Sequence, residues 1–139
     1  MSAPRRILLV RLSHLGDVCH GLPVFHALRE AWPEASIAWV VQPEFAGLLD
    51  GLPGLEQVFH FRRRDGLRAW FALRRELRAF APDLAVDCQG NLKSASISWS
   101  SGAKDRAGLA RADWREPMGA RAMTRLAPAA AMPHAVDRA

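Results

Sequence analysis

The chain has little lysine. Lys93 and Lys104 are the only lysines, although lysine and arginine together number 19, so nearly all positive charge is arginine. Arginine suits bidentate binding of carboxylates and phosphates, which indicates an anionic partner. A GC-rich genome also tends to produce an arginine-rich, lysine-poor chain, and composition does not separate the two explanations.

Cysteine and long apolar runs are also scarce. Cys19 and Cys88 match no metal-binding spacing and are too few for a disulfide framework, so we predict two reduced, buried thiols in a cytoplasmic protein. The apolar stretch after the basic N-terminus covers only residues 7–10, which is too short for a signal-peptide core. No stretch approaches the length of a membrane-spanning helix.

Several functional motifs are missing as well. The chain has neither a GxxxxGK[ST] loop nor a GxGxxG fingerprint, which argues against an ATPase or a dehydrogenase. No closely spaced pair of carboxylates suggests a divalent metal site, so we predict no metal. The net charge of +5 permits nucleic-acid binding, but no recognition motif or aromatic platform accompanies it, so we predict no nucleic-acid partner.

What is present is an alternation of apolar runs and helical patterns. Half of the 139 residues are hydrophobic, which is enough to bury a core. The runs predict strands at 7–10, 37–41, 57–61 and 84–87, long helices at 18–32 and 67–80, and a short helix at 45–49. Pro23 implies that the first helix is kinked or begins there. The order predicts an α/β fold with a Rossmann-like parallel sheet and helices on both faces.

The pattern weakens after Gly102. Residues 106–109 are predicted to form an edge strand and residues 115–126 to be helical. Residues 127–133 resemble a linker or an irregular loop, and residues 135–138 look like the start of another helix. We therefore predict a domain over residues 1–126, followed by residues 127–139 as a loop and the start of an interdomain connection.

The loop at residues 13–17 is the first candidate site because it directly follows a buried strand. Ligands of open α/β sheets bind outside the carboxyl ends of the strands. Gly16 allows a sharp turn or a close approach of a ligand to the backbone. Asp17 is either a helix N-cap, which the local pattern slightly favours, or a carboxylate that does chemistry at the mouth of the sheet.

Two more polar clusters follow strand ends. Gln89 and Lys93 come after the fourth strand, where a helix N-terminus near Asn91 would offer free amide groups to an anion. A capped helix with Lys93 in solvent is an equally good interpretation. Residues 62–64 are three adjacent arginines, which fit an anion site or, more commonly, a solvated loop.

The helix after these arginines is basic and amphipathic. Arg68, Arg74, Arg75 and Arg78 share it with Trp70 and Phe71. Such a helix can lie on an anionic membrane surface, although its apolar stripe more often packs on the sheet while the arginines are solvated. Both descriptions can hold here, because Phe71 falls outside the main apolar stripe.

Five stretches, in this order, resemble the heptosyltransferases of bacterial lipopolysaccharide core synthesis, glycosyltransferase family nine. They are RLSHLGDVCHGLP at 11–23, WVV at 39–41, DLAVDCQGNLKSA at 83–95, WREP at 114–117 and HAVDR at 134–138. The last three are most similar to the heptosyltransferase I type, which adds heptose to the Kdo sugar of Kdo₂-lipid A.

The resemblance implies the N-terminal, acceptor-binding half of a two-domain GT-B glycosyltransferase that is inverting and metal-independent, with ADP-heptose as donor and no cofactor. It implies Asp17 as the general base that takes a proton from the acceptor hydroxyl. It further implies that the acceptor, a Kdo-lipid A type anionic glycolipid, is bound by a group of residues around the cleft. These are Ser13, Gly16, Arg62, Arg63, Arg64, Gln89, Lys93, Arg115 and His134.

The resemblance also implies what is missing and where the protein acts. The family's C-terminal nucleotide-sugar domain is absent from these 139 residues, so we expect no turnover by this chain alone. Cytoplasmic location, peripheral at the inner face of the bacterial inner membrane, is the corresponding expectation. The alternative function is a non-catalytic Rossmann-like module that binds an anionic glycolipid or a nucleotide.

Overall fold

The computed structural model describes residues 3–13 and 15–127, without the side chains of Leu15, Asp17 and Arg63. A single sheet of parallel strands forms its centre, in the order β3-β2-β1-β4-β5-β6. The strands are β1 Arg6–Val10, β2 Ser36–Val41, β3 Leu55–His60, β4 Leu84–Asp87, β5 Asp105–Gly108 and β6 Arg125–Leu126. The order is that of a doubly wound Rossmann-like sheet and reverses between β1 and β4, so the predicted fold class is confirmed.

The central strands are buried on both faces. Ile7 to Val10 have no solvent exposure, and in the sheet Leu9 lies between Trp39 of β2 and Val86 of β4. A strand covered by helices on both sides needs an apolar residue at every position, which explains why β1 reads as one continuous apolar run. This burial fixes the carboxyl ends of β1 and β4 side by side.

Four α-helices cover the sheet in the part of the chain that the structure describes. They are α1 Leu15–His20, α2 Leu22–Ala31, α3 Gly66–Phe80 and α4 Leu92–Ser100. Val18 of α1 and Phe25 of α2 pack on one face, against a cluster that includes Trp39. Leu77 of α3 and Ile97 of α4 pack on the other face. Among the described residues, no helix combines the length and apolarity needed to cross a bilayer.

Helix boundaries differ from the predictions at two places. The predicted helix at 18–32 is two helices separated at Gly21, and Pro23 lies in the first turn of α2, where its missing amide costs nothing. The break therefore comes just before the proline. The helix predicted over 115–126 is wrong: a 3₁₀ helix, Pro117–Ala122, is followed by β6.

Two further predictions are corrected. The strand near residues 106–109 exists as β5 but is not an edge strand, because the two-residue β6 pairs outside it. The predicted burial of both cysteines holds for Cys88, whose thiol pKa is raised to about 12 by burial, but Cys19 is exposed. Cys19 lies on the outer side of the short α1, which the helical pattern alone did not separate from its buried side.

Gly21 is required by the packing of Trp39 beneath the break between α1 and α2. A Cβ at Gly21 would lie 2.8 Å from Cζ2 of Trp39. The indole cannot move aside freely, because it is fully buried and its Nε1 donates a hydrogen bond to the carbonyl of Arg11 at 3.0 Å. Glycine at this position thus permits close contact with Trp39, whose indole holds the start of the loop after β1 through its hydrogen bond to Arg11.

We expect Gly21→Ala to lower the free energy of unfolding by about 2 kcal/mol, the usual cost of overpacking a core. Urea unfolding followed by tryptophan fluorescence measures this. Gly47→Ala is the matched control, because a Cβ there has no neighbour within 4 Å. Equal stabilities for the two variants would contradict the packing argument.

Candidate functional site

Gln89 joins the two loops at the point where the strand order reverses. Its side-chain oxygen accepts a hydrogen bond from the amide of Leu12 at 3.0 Å, and its Nε2 donates one to Oγ of Ser13 at 3.2 Å. Leu12 and Ser13 follow β1, whereas Gln89 follows β4. The structure therefore brings together Ser13 and Gln89, two of the predicted site residues, in the crevice where ligands of doubly wound sheets bind.

Arg11 also connects the two loops that form this crevice. The residue is buried, and its Nη1 donates a hydrogen bond to the carbonyl of Cys88, in the loop after β4. A buried guanidinium is costly unless it is paired, so this contact ties the β1 loop to the β4 loop a second time. The sequence pattern did not identify Arg11, because the predicted strand ended at residue 10 and nothing local indicated that the next residue is buried.

Asp87 ends β4 and organises the turn that follows. Its Oδ1 accepts hydrogen bonds from the amides of Gln89 at 2.8 Å and Gly90 at 3.0 Å, which is the pattern of an Asx turn. The other oxygen, Oδ2, is buried and accepts no hydrogen bond from the described residues. The side chain thus sets the direction in which Gln89 leaves the strand.

The burial of Asp87 changes its ionisation. Desolvation raises the pKa of this carboxyl to about 6, against the lowering effect of the Gly90 and Gln89 amides, the nearby Ser94 hydroxyl and the Arg11 charge. Sequence reasoning missed Asp87 as a determinant of the site. The signal was an aspartate at a strand end with a glycine three residues later, and Gly90 does adopt a left-handed φ of 77°.

Asp17 and Gly16 lie in the first turn of α1, the helix that follows the β1 loop. Since α1 begins at Leu15, Asp17 is its third residue, and the interpretation of Asp17 as an N-cap is wrong. Gly16 is helical rather than part of a sharp turn, and a Cβ there would meet no atom of the described residues within 4 Å. The open space above Gly16 leaves room for a ligand beside the backbone.

Two amides at the N-terminus of α4 donate to side chains and are not free. The Leu92 amide donates to Oε1 of Glu116 at 2.9 Å, and the Ser94 amide donates to Oδ1 of Asn91 at 2.8 Å. Asn91 and Ser94 form a reciprocal capping box. The capped-helix alternative is thus confirmed, and the Leu92 and Ser94 amides are already engaged by side chains.

Lys93 and Arg115 nevertheless supply positive charge beside this helix. The half-buried Lys93 extends over Phe61, with Nζ at 5.9 Å from the ring centroid. The amide of Arg115 donates to the carbonyl of Gly90 at 2.8 Å, which anchors this exposed arginine to the β4 loop. Lys93 lines a depression of about 520 Å³ together with Phe61, Trp70, Asn91, Leu92, Ser96 and Glu116.

Arg62 and Arg64 add positive charge at the edge of the sheet where Lys93 and Arg115 also lie, and we term these four residues the basic rim. Arg62 follows Phe61 directly, so it comes next to the ring that Lys93 covers. Arg62 and Arg64 are exposed and line a second depression, of about 400 Å³, with Glu44 and Asp65. Because β3 is two strands away from β1, these arginines lie about 10 Å along the rim from the crevice.

Those predicted site residues whose positions the structure describes therefore lie along one edge of the sheet. Ser13 and Gln89 are joined directly, Gly16 and Asp17 belong to the helix α1 that follows the β1 loop, and the described cationic residues follow β3 and β4. Arg63 lies in a 3₁₀ helix, Arg63–Asp65, and its side chain is not described. His134 lies outside the described residues. The individual binding and catalytic roles stay predictions.

Comparisons with known proteins agree on one family. The model of glycosyltransferase family 9 (heptosyltransferase) matches residues 70–139. Lipopolysaccharide heptosyltransferase 1 of Pseudomonas aeruginosa is 38% identical over 96% of this chain and 40% of its own length. The Escherichia coli K12 protein of the same name is 32% identical, over 96% of this chain and 44% of its own. The chain thus spans about two-fifths of these relatives.

Solved structures give the same result. E. coli heptosyltransferase WaaC with ADP superposes with a TM-score of 0.79 at 31% identity, over 96% of this chain and 44% of that chain. A glycosyl transferase family 9 protein from Veillonella parvula reaches a TM-score of 0.83 at 22% identity, over 99% of this chain and 40% of that chain. The second likeness concerns the fold alone.

Proposed function

The chain belongs to glycosyltransferase family 9, the heptosyltransferases, and on that premise we propose that it is the acceptor-binding half of a GT-B enzyme that transfers heptose from ADP-heptose to a Kdo-lipid A type glycolipid. The observation that carries this proposal is the positive charge at the carboxyl edge of the sheet, where the crevice between β1 and β4 lies. Lys93 and Arg115 follow β4, and Arg62 and Arg64 follow β3 at the same edge. Carboxylates and phosphates of an anionic glycolipid are the ligands that such a rim favours.

The crevice supplies the position for the reacting hydroxyl. A general base must come within hydrogen-bond distance of the proton that it removes. In the proposed reaction the Asp17 carboxylate takes the proton of an acceptor hydroxyl, the oxygen forms a bond to the anomeric carbon of the donor, and the bond from that carbon to ADP breaks with inversion. The fixed Gln89 amide and the Ser13 hydroxyl are polar groups that can orient the acceptor sugar opposite α1.

The donor side of the reaction is assigned to the part of the relatives that this chain does not span. We propose that residues 1–126 bind the acceptor, that residues 127–139 begin the connection to a nucleotide-sugar domain, and that residues 1–139 alone do not catalyse transfer. Stabilising the charge of the leaving diphosphate supplies much of the rate in such reactions, and it requires that second domain. A peripheral location at the inner face of the inner membrane fits a lipid-linked acceptor.

Binding of Kdo₂-lipid A in detergent micelles tests the acceptor assignment. We expect the Lys93→Ala, Arg115→Ala double variant to bind at least tenfold more weakly than the unchanged chain, because each lost charge removes a charge-assisted contact to a carboxylate or phosphate. Isothermal titration calorimetry or fluorescence anisotropy of a labelled acceptor measures the dissociation constant.

Lys104→Ala is the matched control for this experiment. Lys104 is exposed and directly precedes β5, so it carries the same charge at the opposite, amino edge of the sheet. If the double variant and the unchanged chain bind Kdo₂-lipid A equally well, the proposed anion site is wrong. If Lys104→Ala weakens binding as much as the double variant does, the effect comes from net charge and not from this site.

A further inference from the structure

Exposed apolar side chains are concentrated on one side of this domain. Six large apolar residues of the described chain are at least 41% exposed: Leu48, Leu67, Phe71, Leu92, Trp99 and Met118. All except Leu48 belong to α3, to α4 or to the 3₁₀ helix Pro117–Ala122. The helices α1 and α2, which cover the opposite face of the sheet, carry none of the six.

These three elements are packed side by side. Arg78 of α3 donates from Nε to the carbonyl of Ser100 in α4 at 3.0 Å. On the other flank of α4, a Cβ at Gly119 would lie 3.2 Å from the Cβ of Ala95, so the 3₁₀ helix packs closely against it. The exposed apolar residues of the three elements thus share one outer surface, which we term the α3–α4 face.

The α3–α4 face is also strongly basic. Four exposed arginines project from α3, and Glu76 is the one acidic residue within that helix. The arginines are Arg68, Arg74, Arg75 and Arg78. Phe71 lies between them in sequence and is 56% exposed, while Trp99 on α4 is 63% exposed. Exposed aromatic side chains beside several arginines are a combination that favours an anionic bilayer, because the rings can enter the interface while the arginines bind lipid phosphates.

We propose that the α3–α4 face docks on an anionic phospholipid membrane, with Phe71 and Trp99 inserted at the interface and the α3 arginines bound to lipid phosphates. The proposal rests on the proposed function, because the arginine cluster at 62–64 directly precedes α3 and joins this face to the acceptor rim. A lipid-linked acceptor anchored in that membrane would reach the crevice from the same side.

Vesicle co-sedimentation of the 139-residue chain tests the proposal, with phosphatidylcholine vesicles compared with vesicles that also contain phosphatidylglycerol. We expect binding to the anionic vesicles alone, weakened by added salt. Phe71→Ser with Trp99→Ser, and separately Arg68→Gln with Arg75→Gln, should each reduce the partition coefficient about tenfold or more. These side chains are exposed, so circular dichroism should show unchanged folding.

Two control variants make the outcome specific. Leu48→Ser removes the exposed apolar residue that lies outside the face, and Arg5→Gln with Lys104→Gln removes two exposed charges at the amino edge of the sheet. Both should bind vesicles like the unchanged chain. Equal loss of binding in either control would overturn the assignment to this face.

Other occupants of the face give different results. No vesicle binding, together with a dimer that the Phe71→Ser, Trp99→Ser variant abolishes, would show that a second copy covers the face and would overturn the proposal. A complete two-domain protein that ignores anionic vesicles would also overturn it, in favour of the rest of the chain as occupant. None of the vesicle variants changes Lys93 or Arg115, so loss of Kdo₂-lipid A binding in micelles on changing those two residues still tests the acceptor site separately.

Discussion

Replacing Asp17 with asparagine is expected to lower kcat by about 10²- to 10⁴-fold in a complete two-domain protein that contains this chain, the range for loss of a general base. Asparagine keeps the size of the side chain but cannot accept the proton of the acceptor hydroxyl. The affinity for Kdo₂-lipid A should change little, because the proposed anion contacts are made by Lys93 and Arg115. Steady-state transfer from ADP-heptose to that acceptor measures both quantities.

The controls for this experiment separate catalysis from charge. Asp50→Asn removes an exposed carboxylate from the turn before β3, at the opposite edge of the sheet, and should leave kcat unchanged. Transfer that persists undiminished in Asp17→Asn would remove Asp17 from the reaction. Absence of any transfer by the unchanged two-domain protein, with intact acceptor binding, would favour the non-catalytic binding module instead.

Asp87 gives the largest expected effect on stability. Its pKa is about 6 in the folded protein against an ordinary value of 3.8, because burial penalises the charged form. The folded state therefore holds this proton more tightly than the unfolded state does. As pH rises from about 4 through 6, the unfolded chain gives up the proton first, so this residue lowers the free energy of unfolding by about 3 kcal/mol above pH 6.

The Asp87→Asn variant should lose this dependence. The asparagine oxygen can still accept from the amides of Gln89 and Gly90, but the side chain no longer titrates. We expect the variant to match the unchanged chain near pH 4 and to be more stable by up to about 3 kcal/mol at pH 7. Urea denaturation at a series of pH values measures the difference. Parallel stability curves for the two proteins would refute the ionisation argument.

Asp83 provides a control of opposite sign. Burial raises the pKa of Asp83, but hydrogen bonds from the amides of Arg6 and Arg5 outweigh it, so the pKa lies below 3.8. Its ionised form stabilises the fold above its ordinary pKa, and that contribution is lost as pH falls. Asp83→Asn should accordingly be less stable than the unchanged chain at pH 7, whereas Asp87→Asn is not.

The strands could be predicted because burial on both faces leaves a simple signature. Residues 7–10 and 84–87 are apolar almost throughout, and the structure places strands there with at most one residue of difference. β6 could not be predicted in this way. It consists of Arg125 and Leu126 at the edge of the sheet, where two residues with one exposed side chain carry no periodic pattern.

The site was predictable in outline but not in its connections. Polar residues after parallel strands must meet at one edge, which is why Gln89 could be assigned to the same crevice as Ser13. The capping of α4 by Glu116 could not be foreseen, because it joins residues 24 positions apart, with α4 itself and β5 between them. The burial of Asp87 was equally hidden, since local sequence does not specify how deeply a strand end lies.

The bridge made by Gln89 has a consequence for how the protein acquires its site. The two residues of the Leu12–Gln89 hydrogen bond are 77 positions apart in the chain, with β2, β3 and α3 between them. Such a contact forms only after a long loop has been closed, so it belongs to the late, high-contact-order part of folding. A chain in which β1 and β4 are not yet side by side therefore has no crevice. Local unfolding that separates β1 from β4 would remove all the contacts between the two loops of the site at once.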